Sequence, residues 1–268
     1  MATLRDIRRR IGSVRNTKQI TRAMKVVAAS RLRRSQERIF NARPYARQMT
    51  AMLESVAARL DEQQHPLLAR RPERKVLLVV VTADRGLCGA FNANVLRASQ
   101  IHAQELGPKV SLVAVGRKGR DHFRKRTTTI VAEYINIFRQ LEFSHAKELA
   151  GKIIELYTSE QVDAVDLVYN EFKSTMVQNV KLERFLPIEP LVATQGEYYA
   201  DYIYEQPPAE ILNALLPRYV EVQVFRALLE SQAAENAARM TAMDAATNNA
   251  DDLIESLRLK LNRLRQAG

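Results

Sequence analysis

The sequence predicts an α/β protein in which the two chain ends form one long antiparallel coiled coil and the middle forms a mainly parallel sheet. Three observations carry this. Residues 1–60 repeat apolar side chains at three- and four-residue spacing, residues 208–268 do the same, and residues 75–206 alternate strand-like and helix-like runs. A heptad wants a partner helix, and two heptads flanking one domain most simply pair with each other.

The first segment carries the heptad Leu4, Ile7, Ile11, Val14, then Ala28, Leu32, then Ile39, Ala42, Ala46, Met49, Leu53, Val56, Leu60. Around it lies a basic coat: 15 Lys and Arg face only Asp6, Glu37 and Glu54 within the first 60 residues. The whole chain has a formal charge of +11, so the remainder is close to neutral. A coat of one sign seeks an acidic partner. A rod that only supported the fold would not need it. Pro44 removes a backbone donor and crowds the preceding turn, which predicts a kink or short break near Arg43–Tyr45.

The last segment, read back from Leu264, places Leu261, Leu257, Ile254, Ala250, Thr247, Met243, Met240, Asn236, Ala233, Leu229, Arg226, Val222, Tyr219, Leu215 and Leu212 on its seam. A helix of such length would span roughly 80 Å, well beyond the helices of ordinary globular domains. The seam is weak in the middle, where Lys18, Thr21 and Lys25 fall on the first helix and Ala233, Asn236 and Thr247 on the second. Polar seam positions cost stability and can fix register. The pattern reads as a long charged rod apart from any globule.

In the middle, Lys75–Ala83 is a Val- and Leu-rich run suited to a buried strand. A helix follows over Ala90–Leu106, a strand over Lys109–Val115 and a short helix after Gly116 and Gly119. Ile130–Ile137 reads as a strand, Ser144–Thr158 as a helix and Ala164–Phe172 as a strand. Met176–Pro187 and Glu197–Tyr204 are further strand material, and Pro207-Pro208 is a fitting start for the final helix. This alternation is that of a Rossmann-like domain with helices on the faces of a parallel sheet.

The turn Asp84-Arg85-Gly86-Leu87-Cys88-Gly89 sits where phosphate-binding loops occur, but neither GxGxxG nor GxxxxGK[ST] is present. It reads as a structural βα turn made by Asp84, Gly86 and Gly89, with Asp84 as a cap. The four histidines, His65, His102, His122 and His145, lack metal-ligand spacing and read as surface or satisfied residues. No catalytic, cofactor or metal site is expected. One cysteine, Cys88, excludes an internal disulfide and fits a reducing compartment. No apolar run reaches the length of a membrane span, and the start lacks the apolar region of a secretory leader. A basic coiled coil that binds nucleic acid is the competing reading. It lacks aromatic stacking platforms and groove-reading motifs.

Four stretches resemble one known family. Ile20-Thr21-Arg22-Ala23-Met24-Lys25-Val26-Val27-Ala28-Ala29-Ser30-Arg31-Leu32 is similar to the N-terminal helix of the gamma subunits of rotary (F-type) ATP synthases. Asp84 to Asn92, Leu215-Leu216-Pro217-Arg218-Tyr219, and Glu235 to Ala250 resemble the same family in order and approximate spacing. The resemblance covers nearly the whole chain. It implies a non-catalytic rotor shaft, coiled inside a hexamer of alternating alpha and beta subunits. The α/β domain would then rest against the epsilon subunit and the ring of membrane c subunits. It also implies a peripheral place on the cytoplasmic side of the bacterial plasma membrane, without direct membrane insertion and without nucleic acid.

By the same resemblance, Arg22, Met24, Lys25, Arg31 and Arg239 stand at the level of the acidic lever segment of the beta subunits. Tyr202, Tyr204 and Glu205 match the ring-facing stretch. Rotor contacts must re-form at every step, which suits long-armed charges better than interlocked apolar knobs. The chain departs from the family in lacking the inserted dithiol segment of chloroplast relatives, so thiol regulation is not expected. It also ends at Gly268, where relatives continue for several turns into a tip, so tip residues cannot be carried over.

Overall fold

The structure, a computed structural model, describes residues 3–57, 65–126, 128–188 and 208–266. Helix α1 runs over Leu4–Ala57 and helix α5 over Pro208–Gln266. They pair along the predicted heptads, with five strands and three further helices between them. Thr3 caps α1: its hydroxyl accepts the Asp6 amide at 3.3 Å and the Asp6 carboxylate accepts the Thr3 amide at 3.1 Å. These bonds to Thr3 hold the Asp6 carboxyl below its ordinary pKa.

Of the kink or short break predicted near Arg43–Tyr45, the break is absent: α1 passes through Pro44 as one helix. Pro44 and the residue one turn before it, Phe40, are both exposed, so the carbonyl that loses its partner faces water. Pro217 is likewise accommodated inside α5.

The upper seam is an apolar cluster of Ile7, Ile11, Ile254 and Leu257 with Val14 and Leu261. It ends a turn sooner than the heptad suggests, since Leu4 and Leu264 are 37% and 36% exposed. The weak middle is paired rather than open. The hydroxyls of Thr21 and Thr247 lie 2.8 Å apart, Lys18 bridges to Asp251 and Lys25 to Asp244. Half-exposed ion pairs add little energy, but three matched pairs in sequence specify one register.

The sheet has the order β3-β2-β1-β4-β5, with β1 (Val76–Val81), β2 (Val110–Val115), β3 (Thr129–Tyr134) and β4 (Ala164–Phe172) parallel. The last strand, β5 (Gln178–Leu186), runs antiparallel to β4. Every residue of β1 is buried because both faces of the sheet are covered. Helices α2 (Phe91–Leu106) and α3 (Arg117–Phe123) cover one face, packing Val95 and Phe123 on Leu78, Val80 and Leu112. On the other face lie α4 (Phe143–Thr158) and the first half of α5.

That last contact corrects the picture of a free-standing rod. Leu216, Val220, Val224, Leu228 and Ala237 of α5 share one core with Leu77, Val79 and Val81 of β1 and with Leu32, Ile39 and Leu53 of α1. The shaft is a layer of the domain over its lower half and a two-helix coil over its upper half. The predicted strand at Glu197–Tyr204 lies outside the described residues. Gly116 fixes the turn after β2: its φ is +91°, and a Cβ there would stand 2.1 Å from the Thr82 carbonyl oxygen.

Candidate functional site at the shaft and its junction with the domain

On the upper shaft, Arg22 is exposed, Met24 and Lys25 beside it are half-buried, and Arg31 is exposed two turns further along. Lys25 is engaged by Asp244, whereas the side chains of Arg22 and Arg31 make no hydrogen bond or ion pair among the described residues. Val26 and Val27 between these cations, and Ile20 just before them, are more than half exposed. This stretch of α1 thus leaves unpaired guanidinium groups and large apolar side chains exposed together.

The junction gathers Asp84, Gly86, Gly89 and Arg239. Asp84 is not the cap of α2, whose N-cap is Ala90 without any side-chain bond. The Asp84 carboxylate instead accepts the amides of Arg117 and Asn136, each at 3.0 Å, tying the ends of β1, β2 and β3 together. Asp84 stands six residues before that N-cap, and its carboxylate serves the neighbouring loops. Asn92 closes the turn instead, accepting the Ala83 amide at 2.9 Å and donating to the Arg85 carbonyl at 3.3 Å.

Gly86 offers its carbonyl to the guanidinium of Arg239, which also pairs with Glu235 one turn earlier on α5. Gly89, at φ +54°, lets the backbone pass close to α5, its missing Cβ position lying 3.9 Å from Ala238 O and Ala242 Cβ. Three more bonds repeat the theme. Gln232 donates to Phe138 O at 3.2 Å, Arg38 to Leu141 O, and the Phe172 amide to the Glu230 carboxylate at 3.1 Å. The carboxyl edge of a parallel sheet is where α/β folds usually hold ligands. Here much of that edge is bound to the chain's own shaft.

Burial raises the carboxyl pKa of both Glu230 and Glu235, and the hydrogen bond from Arg239 works against that rise at Glu235. Burial also pushes up the thiol of Cys88, which packs with Phe91 and Ala234. Such a thiol is a poor nucleophile. Among the described residues no group of three or more His, Cys, Asp or Glu could hold a metal ion. No described helix is long and apolar enough to cross a membrane.

Sequence reasoning missed one buried network. Asp166 on β4 bonds His102 of α2 at 2.7 Å and Arg184 of β5 at 2.7 Å, and Arg184 reaches on to Glu73. The signal was present in the pairing, because Asp166 and Arg184 stand opposite each other across β4 and β5. Reading it required knowing the register. Tyr202, Tyr204 and Glu205 lie outside the described residues.

A two-helix shaft rooted in an α/β body is the architecture of the central stalk of a rotary ATP synthase. The central stalk/c-ring structure from Tetrahymena thermophila mitochondria matches with a TM-score of 0.67 at 29% identity, over 85% of this chain and 99% of that one. The rotor of the Euglena gracilis mitochondrial enzyme shares the fold, with a TM-score of 0.68 at 20% identity over 98% of both chains. The ATP synthase family model matches residues 3–268. The ATP synthase gamma chain of Solibacter usitatus is 50% identical, over 100% of this chain and 94% of that protein, and the one from Chloroherpeton thalassium is 48% identical, over 100% and 93%. The chain belongs to the ATP synthase gamma chain family.

Proposed function

We propose that this chain is the rotor shaft of a proton-translocating ATP synthase, coupling rotation of a ring of membrane c subunits to conformational change in a hexamer of alpha and beta subunits. The observation that carries it is the shaft itself. Two helices of 54 and 59 residues are locked in one register, rooted by one of them in the sheet core, and left bare and basic above it. Such an object transmits torque because its base cannot turn independently of its upper half. The chain carries no active site of its own; the chemistry belongs to the hexamer, and the complex lies on the cytoplasmic side of the bacterial plasma membrane.

Arg22, Met24, Lys25 and Arg31 form the face that meets the acidic levers of the beta subunits. Long cationic side chains beside exposed Val26 and Val27 give contacts that form and release at similar energy at each step. Arg239 acts with them through the turn it holds at Gly86. Tyr202, Tyr204 and Glu205 belong to the end that faces the c ring, near the epsilon subunit.

Reconstitution tests this. Alpha and beta subunits with and without this chain are assayed for ATP hydrolysis, and the ternary complex for ATP-driven rotation of a bead on the sheet domain. We expect the chain alone to be inactive, to raise hydrolysis by the hexamer, and to rotate. Arg22→Gln/Arg31→Gln should lower torque with assembly retained. A hexamer indifferent to the chain refutes the rotor reading; full torque in the double variant refutes the residue assignment.

A further inference from the structure

Where α1 passes the carboxyl edge of the sheet, the basic coat stops being convex. Arg31, Arg34 and Arg38 of α1, Arg85 of the turn after β1 and Arg139 of the short turn after β3 line one cleft of about 590 Å³. The spacing of 31, 34 and 38 puts three guanidinium groups along one side of a helix. The other two face them from separate loops. The walls are fixed. Arg38 donates to Leu141 O, Gln232 to Phe138 O, and the buried Ile137 anchors the turn that carries Arg139.

The charges do not cancel internally. The guanidinium groups of Arg31, Arg34, Arg85 and Arg139 make no hydrogen bond or ion pair among the described residues, and Arg31 acts on Glu235 only over a longer distance. Two carboxylates face the same space, and both are already engaged: Asp84 by the amides of Arg117 and Asn136, Glu235 by Arg239. What remains is a concave surface with four unpaired forks, at the edge of the sheet where α/β folds place anionic ligands. A volume of this size is that of a small-molecule site, typically about 300–1,000 Å³.

We propose that this cleft binds a compact oligophosphate, two or more adjacent phosphate groups, either free or at the end of a nucleotide. Guanidinium groups match phosphate oxygens two at a time. An acidic helix presents its carboxylates along one line. Here the cations lie on opposite walls, so the ligand must offer anionic oxygens on more than one side, as a phosphate chain does. Bound there, it would bridge α1 to the loops after β1 and β3 and brace the junction. This goes beyond the rotor reading and does not depend on it.

The test must separate the cleft from a basic coat that attracts any anion. The full chain is titrated calorimetrically with inorganic tripolyphosphate and with ATP. The comparison variants are Arg34→Gln/Arg139→Gln in the cleft and Arg5→Gln/Arg8→Gln at the far end of α1, which lose the same charge. All four side chains are exposed, and unchanged thermal melts verify folding. We expect one saturable site, weakened about tenfold or more in the cleft variant, because losing even one charge-assisted bond weakens binding by about that factor. The far-end variant should stay within about twofold, since distant exposed charges are screened. Tripolyphosphate should raise the melting temperature of the wild type and not of the cleft variant. Equal affinity for ATP and tripolyphosphate means the phosphate chain alone is read, and tighter ATP points to a nucleotide; both support the site. Equal loss in the two variants, or no saturation, overturns it. A hexaglutamate peptide binding more tightly than tripolyphosphate overturns it in favour of an acidic protein segment.

Discussion

Arg239→Ala should be among the most damaging single changes outside the hydrophobic core, and the structure contains its own control. Arg239 and Glu235 form a salt bridge one turn apart on α5, with side chains 12% and 14% exposed. Arg33 and Glu37 form a pair of the same spacing on α1, with side chains 84% and 60% exposed. Spacing alone would make them equal, at about 0.3–0.5 kcal/mol. Environment separates them. Removing Arg239 leaves a carboxylate that burial already destabilises and takes the donor from Gly86 O. A buried pair broken on one side costs about 3–5 kcal/mol, and the slight exposure here puts the expectation near ~3 kcal/mol. Chemical unfolding of Arg239→Ala, Arg33→Ala and the double variant Glu235→Leu/Arg239→Met measures this. The double variant should recover much of the loss, because it leaves no uncompensated charge. Cys88, packed beside this clamp, should react faster with a thiol reagent in Arg239→Ala as the turn loosens. If Arg239→Ala costs no more than Arg33→Ala, or the double variant is as unstable as the single, the clamp does not hold the turn.

Three further outcomes follow from the same geometry. Thr21→Val and Thr247→Val should each cost about 1 kcal/mol and the double variant less than their sum, because both remove the same bond between the helices while the remaining hydroxyl keeps its own backbone partner, Lys18 O or Met243 O; a thermal double-mutant cycle reads the coupling. Gly116→Ala should destabilise by at least ~2 kcal/mol, as its Cβ meets Thr82 O, while Gly107→Ala, at φ +73° with open space around it, should cost about 1 kcal/mol; similar losses at both would mean that φ alone decides. The Glu230 carboxyl is raised in the folded state, so the native form holds its proton more tightly, and its ionisation opposes folding as pH rises through the folded pKa. Glu230→Gln should therefore be more stable than wild type near neutrality, with the advantage vanishing as pH falls towards the ordinary value of 4.5; an advantage that persists below that value would contradict the assignment.

The parts legible in the sequence are those in which each helix or strand faces only one kind of neighbour. The upper coil was readable because Ile7, Ile11, Ile254 and Leu257 bury one stripe and nothing else. Strand β1 was readable because both its faces are buried, which leaves an unbroken apolar run. The lower half of α5 obeys neither rule. Val220, Val222, Val224, Ala227, Leu228, Leu229, Ala233, Ala234 and Ala237 are all buried, so the helix is covered on several sides and a single heptad cannot describe it. Asp84 and Asp166 were misread or missed for a related reason: each serves partners brought close only by the sheet, through the loops after β2 and β3 and through β5.

The change of pattern along α5 nevertheless locates the junction. Up to Ala237 small and apolar residues are buried all round; from Met243 onward burial returns to one residue every three or four, at Met243, Thr247, Ala250, Ile254 and Leu257. A helix changes from many-sided to one-sided burial where it leaves a domain and becomes half of a coil. Arg239 stands within that interval, and its bond to Gly86 is one of the contacts, beside the packing of Cys88 and Phe91 on Ala234 and Ala238, by which the domain grips the shaft at its point of exit. A charged residue placed where apolar packing runs out can hold two elements together without adding to either core. That is what a shaft requires, if force entering at the domain is to reach a coil whose own seam, at Lys18, Thr21 and Lys25, is held by polar pairs.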